Sequence, residues 1–363
     1  MSRVRVTLQG VLCVACVVSL GLSHAYAQPA VALDVVAAVD GVGHSTPVRA
    51  VGITFDVFGA VRIAEGLDLV ARPVISRRSF DGKWQKQMHQ LGLRYEMRGA
   101  DARALGMRVE VGQMPLPIGM AMLENRADLN PVVSQHSAYY VPLPRVDPEI
   151  PRTFLIAGAY PFGAQVTLSS GRWDARVAAI DSSPVRGRPF FGSTKPPRLL
   201  NGVAGVGFTP RVGLRLGIAA AYGPYASVNE VTDRSRGDRD ASMIQLEGEW
   251  SFGYTRIAGE WVRTVLETAR ADGRVTGGWI EVTQTLSPRV FVAGRLDGQH
   301  FEYQRPVFDD FLRQDYDRVE AIVGVRLSPD LTLRGGYLGR RGYVVSHWDD
   351  QVIGSVVWQR KVW

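Results

Sequence analysis

The chain has 363 residues, 42 Lys+Arg against 35 Asp+Glu, a formal charge of +7 at pH 7, and two cysteines. The basic excess is dispersed, with no Lys/Arg run and no nucleic-acid motif, so nucleic acid is excluded as a partner. No phosphate loop, G-x-S-x-G elbow or H-E-x-x-H pair occurs, so no cofactor, catalytic centre or metal site is read and the chain is not read as an enzyme.

The chain opens with an export signal. Arg3 and Arg5 supply a positive start, Val11 to Leu22 an apolar run, and Ala25-Tyr26-Ala27 a small-x-small cleavage site. Residues 1–27 are therefore expected to be a signal peptide and 28–363 a transmembrane β-barrel porin domain. The apolar run is shorter than the roughly 20 residues of a spanning helix. Cys13 and Cys16 both lie in this segment, so the mature chain carries no cysteine. Without Arg3 and Arg5 the mature balance is 40 basic against 35 acidic residues, a net +5. Only Lys83, Lys86, Lys195 and Lys361 are lysines, and the other basic residues are arginines, which bind anions through a planar fork.

The mature chain has no apolar stretch of helix-spanning length, so a membrane location requires a closed barrel. Along the chain, alternating segments of about ten residues are joined in turn by tight turns and long polar connections. The tight turns fall at Ala64-Glu65-Gly66, Gly99 to Arg103, Ser170-Gly171-Arg172, Thr209 to Val212, Ser251-Phe252-Gly253, Leu286 to Val290 and Ser328-Pro329-Asp330. Proline and glycine there preset or permit the turn dihedrals. The long connections are Asp40 to Val48, Arg78 to Gln87, Met114 to Arg152, Ser183 to Leu200, Pro224 to Asp240, Leu266 to Arg274, Tyr303 to Tyr316 and Gly342 to Asp350. This predicts an all-β fold, a transmembrane antiparallel β-barrel of about 16 strands, the even number that returns both termini to the periplasmic side. The clearest segment is Leu331 to Arg340, and the preceding one likewise sets Val319, Ala321, Val323, Val325 and Leu327 against Glu320, Ile322, Gly324 and Arg326. Trp173, Tyr222, Trp250, Tyr254, Trp279 and Tyr337 lie near strand ends, where interfacial girdles form. The chain ends on a strand closing at Trp363, with Gln359 and Lys361 on the same face as that aromatic.

The second face of the segments is charged. These registers direct Arg94, Glu96, Arg98, Arg108, Glu110, Asp174, Arg176, Arg215, Glu247, Glu249, Arg256 and Glu260 to the lumen. Glu281, Arg295, Asp297, Glu320, Arg326, Arg334 and Arg340 complete the set. About 16 strands leave an aqueous channel, and charge rings on its wall bias which ions pass. The arginine surplus predicts anion preference. Cross-strand pairing that simply holds the wall is the plainer use of the same charges.

Met114 to Arg152 is the most distinctive segment. Pro115, Pro117, Pro131, Pro142, Pro144, Pro148 and Pro151 remove backbone donors and oppose strand pairing. As the third long connection it is expected to fold inward and narrow the pore, with Glu124, Arg126, Asp128, Arg145 and Arg152 as constriction candidates.

The stretch Val111-Gly112-Gln113-Met114-Pro115-Leu116-Pro117-Ile118-Gly119 resembles the G-x-hydrophobic-x-x-P-F-G stretch of the porin family related to the phosphate-selective porins O and P. Ile118 stands where that family has Phe. Phe162-Gly163-Ala164-Gln165-Val166-Thr167-Leu168-Ser169 resembles the family's following strand. The resemblance implies a 16-stranded, trimeric, anion-passing porin. Its partners would be outer-membrane lipid and lipopolysaccharide, the barrel assembly machinery, small hydrophilic or anionic solutes and two further copies in a homotrimer. No phosphate-binding residue carries over, because the family's arginine ladder and constriction lysines have no residue-by-residue match here.

The reading is an outer-membrane diffusion porin of a Gram-negative bacterium. A closed or narrow barrel acting as receptor, adhesin or scaffold is the second reading, and a barrel enzyme the third. The scattered histidines His44, His89, His136, His300 and His347 show no serine partner. The acid clusters Asp309-Asp310, Asp315, Asp317 and Asp349-Asp350, and the run Asp233 to Asp240, read as solvated loops rather than a Ca²⁺ site.

Overall fold

In the computed structural model the described residues are 31–44, 49–78, 82–97, 104–122, 125–143, 150, 153–186, 199–231, 234, 237–268, 272–303, 315–342 and 345–362. The signal segment, Arg98, Glu124, Arg145, Arg152, Trp363, the Gly99 to Arg103 turn and Asp309-Asp310 lie outside them.

Sixteen strands close into one antiparallel barrel in which each pairs with its chain neighbours and β1 pairs with β16. The first eight are β1 (Val31–His44), β2 (Arg49–Ala64), β3 (Leu67–Arg78), β4 (Trp84–Met97), β5 (Gly106–Gln113), β6 (Phe162–Ser170), β7 (Trp173–Ile180) and β8 (Asn201–Arg211). The others are β9 (Leu214–Ala226), β10 (Arg239–Phe252), β11 (Thr255–Leu266), β12 (Gly273–Thr285), β13 (Val290–Tyr303), β14 (Tyr316–Ser328), β15 (Leu331–Gly342) and β16 (Val345–Lys361). Closure pairs every strand edge, which a lipid-exposed sheet requires. A single helical turn, α1 (Ser137–Tyr140), lies in the long third connection.

Successive side chains point to opposite faces, so the period-2 pattern becomes an apolar sheath around a polar wall. On β14, Val323 and Leu327 are exposed outside while Arg318, Glu320 and Ile322 are buried inside. This is the expected assignment of the two faces.

Several local expectations need correction. Asp40 to Val48 was expected to be a loop, but β1 continues to His44, pairing Asp40 with Ser355 and Gly43 with Val352. The Gly342 to Asp350 connection is likewise mostly strand, with Gly342 opposite Val345. Cross-strand polar bonds extend the ladder there: Arg340 Nε donates to Asp349 at 3.1 Å and Tyr337 Oη to Asp350 at 2.5 Å. The turn expected at Thr209 to Val212 falls at Val212 and Gly213, since Gly213 supplies the left-handed φ of +85°.

In β16, Gln359 opposes Val36 and sits on the inner face, while Val356 and Trp358 are exposed outside. One aromatic expectation changes. Trp279, expected in the outer girdle, is buried on the inner face, because its position on β12 has the parity of Glu281 rather than of Ile280. Trp173, Tyr222, Trp250, Tyr254 and Tyr337 are exposed, as expected.

Candidate functional site

The third long connection leaves the wall after Gln113 and re-enters at Phe162, beyond the expected end at Arg152. Its two ends run back to back: Met114 N donates to Pro161 O at 3.0 Å and Leu116 N to Ala159 O at 3.1 Å. Between them the chain folds into the barrel. Gly119 takes a φ of +87°, and a Cβ there would overlap the Tyr139 hydroxyl. The stretch 111–119 thus marks where the chain quits the wall.

Two wall carboxylates hold this loop by its donors. Glu260 on β11 accepts from the backbone of Met120, from Ala121 N at 2.9 Å, Tyr139 Oη at 2.9 Å and Trp279 Nε1 at 3.0 Å. Glu320 on β14 accepts from Val133 N at 2.7 Å, Ser134 N at 3.1 Å and the Ser134 hydroxyl. Wall arginines hold its carbonyls. Arg295 donates to Ser134 O at 2.9 Å and Asn130 Oδ1 at 2.6 Å, and Arg334 donates to Asn130 O and to Val132 O at 2.7 Å. Arg318 bonds Gln135 O at 2.5 Å, and Gln299 bonds Ser137 O at 2.8 Å. On the other side of the lumen, Arg72 on β3 reaches Asn125 Oδ1 at 3.1 Å. Charge-assisted bonds are roughly twice as strong as neutral ones, so the loop is fixed from opposite walls.

Apolar packing completes the anchoring. Leu116, Ile118, Met122, Tyr139, Leu155 and Ile156 form one buried cluster with wall residues including Ile180, Val203, Met243, Val262 and Trp279. The inner wall from β7 to β13 is therefore apolar where it meets the loop, a feature the charge pattern did not reveal. Burial pushes the Tyr139 hydroxyl well above its ordinary pKa, with the adjacent Glu260 adding to the shift. Burial also lowers the His136 imidazole well below its ordinary value, helped by Arg295, Arg318 and Arg256.

Several wall charges also pair with one another. Arg94 meets Glu110 at 2.8 Å, Arg215 bridges Asp174 at 2.9 Å and Glu247 at 2.6 Å, and Arg176 lies 3.3 Å from Glu247. Arg256 pairs with Glu249 at 3.0 Å and Arg295 with Glu281 at 2.6 Å. Arg108, on the inner register between Glu96 and Thr167, is exposed. Of the described constriction candidates, Arg126 and Asp128 grip each other through two 2.6 Å bonds, and Arg126 stands 3.5 Å from Asp34. Sequence reasoning missed the buried pairs Arg72–Asp56, at 2.6 Å, and Arg318–Asp297, at 2.7 Å, as sites. Asp297 is among the expected lumen residues, whereas Arg72 and Asp56 are not.

Beneath the loop, on the short-turn side, lies a cavity of about 350 Å³ roofed by 127–131 and walled by Arg256, Arg326, Arg334, Thr283 and Phe291. Arg326 lies over the Phe291 ring, 5.0 Å from its centroid, and donates to Pro288 O at 3.2 Å.

A closed 16-strand barrel with an apolar sheath and a loop docked in its lumen has the architecture of the outer-membrane β-barrel proteins. Similar solved structures bear this out at the level of fold. OmpT of Vibrio cholerae in a trimer form matches with TM-score 0.59 and 9% identity, covering 92% of this chain and 100% of that one. An anion-selective porin from Comamonas acidovorans matches with TM-score 0.57 and 12% identity, over 92% and 100%. The outer membrane channel DcaP of Acinetobacter baumannii matches with TM-score 0.57 and 8% identity, over 92% and 97%. No protein-family model and no curated protein sequence matches the chain.

Proposed function

We propose that the protein is an outer-membrane diffusion porin for small hydrophilic solutes, with anion preference. The observation that carries this is the third connection held inside a 16-strand barrel, a width that otherwise leaves an open aqueous channel. A loop bonded to opposite walls narrows such a channel to a selective cross-section. The exposed Arg108 and the three guanidiniums around the sub-loop cavity supply the cationic bias. Residues 1–27 act as the cleaved export signal, and the barrel works without a catalytic step. A homotrimer is the proposed assembly, in keeping with the OmpT trimer form. The finer kinship with phosphate-selective porins rests on the 111–119 and 162–169 stretches alone.

The apolar docking of Leu116, Ile118, Met122 and Tyr139 favours a second reading, a plugged barrel serving as receptor or scaffold. Single-channel recording of the refolded mature protein in a planar bilayer, with reversal potential in a KCl gradient, separates the two. Discrete steps reversing toward the chloride potential support the porin. A folded, heat-modifiable barrel that passes no current supports the plug.

A further inference from the structure

We infer that the lipid-facing rim of β3 and β4, at the long-connection end, is a docking site for the phosphorylated head of lipopolysaccharide, built on Arg77 and Lys86. On β3, Arg77 has the outward parity of Leu69 and Ile75, while Val70, Arg72 and Val74 are buried inside. On β4, Lys86 stands between the exposed Trp84 and Met88 with the same outward parity. The two cations are diagonal neighbours, because Arg77 lies opposite Trp84 and Ile75 opposite Lys86. Diagonal positions on one sheet face are roughly 7–8 Å apart, within reach of long side chains, so both heads can meet one phosphate group. Arg77 and Trp84 form the last pair of this ladder, which places the cations at the rim.

Charge complementarity names the occupant. Among the described residues, no outward position of β2 to β5 carries a carboxylate, and neither Arg77 nor Lys86 pairs with one. Arg341 is the contrast: it stands over Trp348 at 5.5 Å, much as Arg77 stands over Trp84 at 5.9 Å, but it is bonded to Asp317 at 2.8 Å. Arg77 keeps its N–H fork for an outside acceptor, and such a fork matches phosphate oxygens. The Trp84 ring that supports it is itself stacked on Phe55, with centroids 6.5 Å apart. Below the cations the same face is apolar, with Ile75, Met88, Leu91 and Leu93 exposed as a bed for acyl chains. An anionic head above and hydrocarbon below describe an amphiphile and not a free ion. Long connections mark the outer side of such barrels, and charges on the lipid face are tolerated near the interface but costly deeper. The outer leaflet there is lipopolysaccharide, whose phosphates sit at headgroup level.

The site rests on the outer-membrane location and not on conduction, so a barrel that passes no current would still bind. The test is native mass spectrometry of the refolded mature barrel titrated with bisphosphorylated lipid A, with dephosphorylated lipid A and phosphatidylglycerol as controls. One lipid A should be retained, and its dissociation constant should rise about tenfold or more in Arg77→Gln/Lys86→Met. Lys86→Met alone, an apolar replacement on an apolar face, should raise it about fivefold and decides the matter should the double variant not fold. Arg341→Gln, whose cation is already paired with Asp317, should leave it unchanged. Dephosphorylated lipid A or phosphatidylglycerol bound as tightly as the bisphosphorylated form overturns the site. So does equal binding by the wild type and Lys86→Met in barrels that remain heat-modifiable.

Discussion

Trp279 donates its indole N–H to Glu260 across one strand pair, at 3.0 Å, inside a barrel in which Trp173, Tyr222, Trp250, Tyr254 and Tyr337 are exposed outside. The bond completes a set of four donors around one buried carboxylate, three of which belong to the loop. Glu260→Gln replaces an acceptor with a group that carries two donors of its own. Tyr139 Oη can accept in place of donating, but the indole and backbone N–H groups cannot, so at least one of the four bonds fails and the rest lose their charge assistance. With charge-assisted bonds contributing about 1.5–3 kcal/mol each, the docked loop loses about 1.5 kcal/mol or more. The expected outcome is a larger unitary conductance and new protease cleavage within 116–143, in a barrel that remains heat-modifiable. Unchanged conductance together with an unchanged cleavage pattern would remove Glu260 as the anchor.

The same loop carries a pH dependence. His136 is buried against Trp279, their rings 4.4 Å apart, and its Nε2 has no hydrogen-bond partner. Burial and three nearby arginines hold its folded pKa well below 6.5. Above that value the ring is neutral whether the loop is docked or free, and docking keeps its full stability. As pH falls below about 6.5 the freed imidazole takes a proton that the docked one resists, so docking weakens steadily toward the depressed pKa. Conductance should therefore rise, or become noisier, from pH 6.5 downward, and His136→Phe should flatten the onset of that rise. A wild-type onset near pH 4 that the variant shares would assign the effect to the carboxylate anchors instead.

The barrel was readable because its strands obey one simple rule. Val319 to Leu327 alternate cleanly, and a residue's parity fixes its face, so Glu260, Arg295 and Arg334 could be placed inward from spacing alone. The prolines of 114–152 equally announced a segment unable to join the wall. What spacing could not give is which inward charges meet each other and which meet the loop. Glu320 and Ser134 lie 186 residues apart, and their contact depends on how the loop closes. Trp279 was misplaced because a strand-end aromatic looks the same on either face unless its parity is counted.

The lipid face can be tested separately from the lumen. Leu333 is partly exposed on the outside of β15, directly opposite Val325 and Val356 on its two neighbours. An arginine there has no polar partner on either side. Leu333→Arg should cost about 2–4 kcal/mol if the site lies near the bilayer midplane. Denaturant unfolding in lipid vesicles measures this, with Leu333→Ala as the size control. Equal stability of the two variants would mean that this face does not meet hydrocarbon.

Two inward arginines should respond in opposite ways, because one faces open lumen and the other is built into the anchor. Arg108 is exposed, so Arg108→Glu reverses a charge beside the permeation path without breaking a buried pair. The reversal potential should shift toward cations with little change in unfolding. Arg295 is fully buried, with Glu281 at 2.6 Å and loop acceptors at Asn130 and Ser134. Arg295→Gln leaves the buried Glu281 carboxylate only the looser Arg256, 3.7 Å away, and removing one partner of a buried pair costs about 3–5 kcal/mol. Selectivity should change less in this variant than stability and loop docking do. Paired measurements of reversal potential and denaturant unfolding on both variants decide the matter. A large stability loss in Arg108→Glu, or none in Arg295→Gln, would contradict this division of the lumen into permeation wall and anchor.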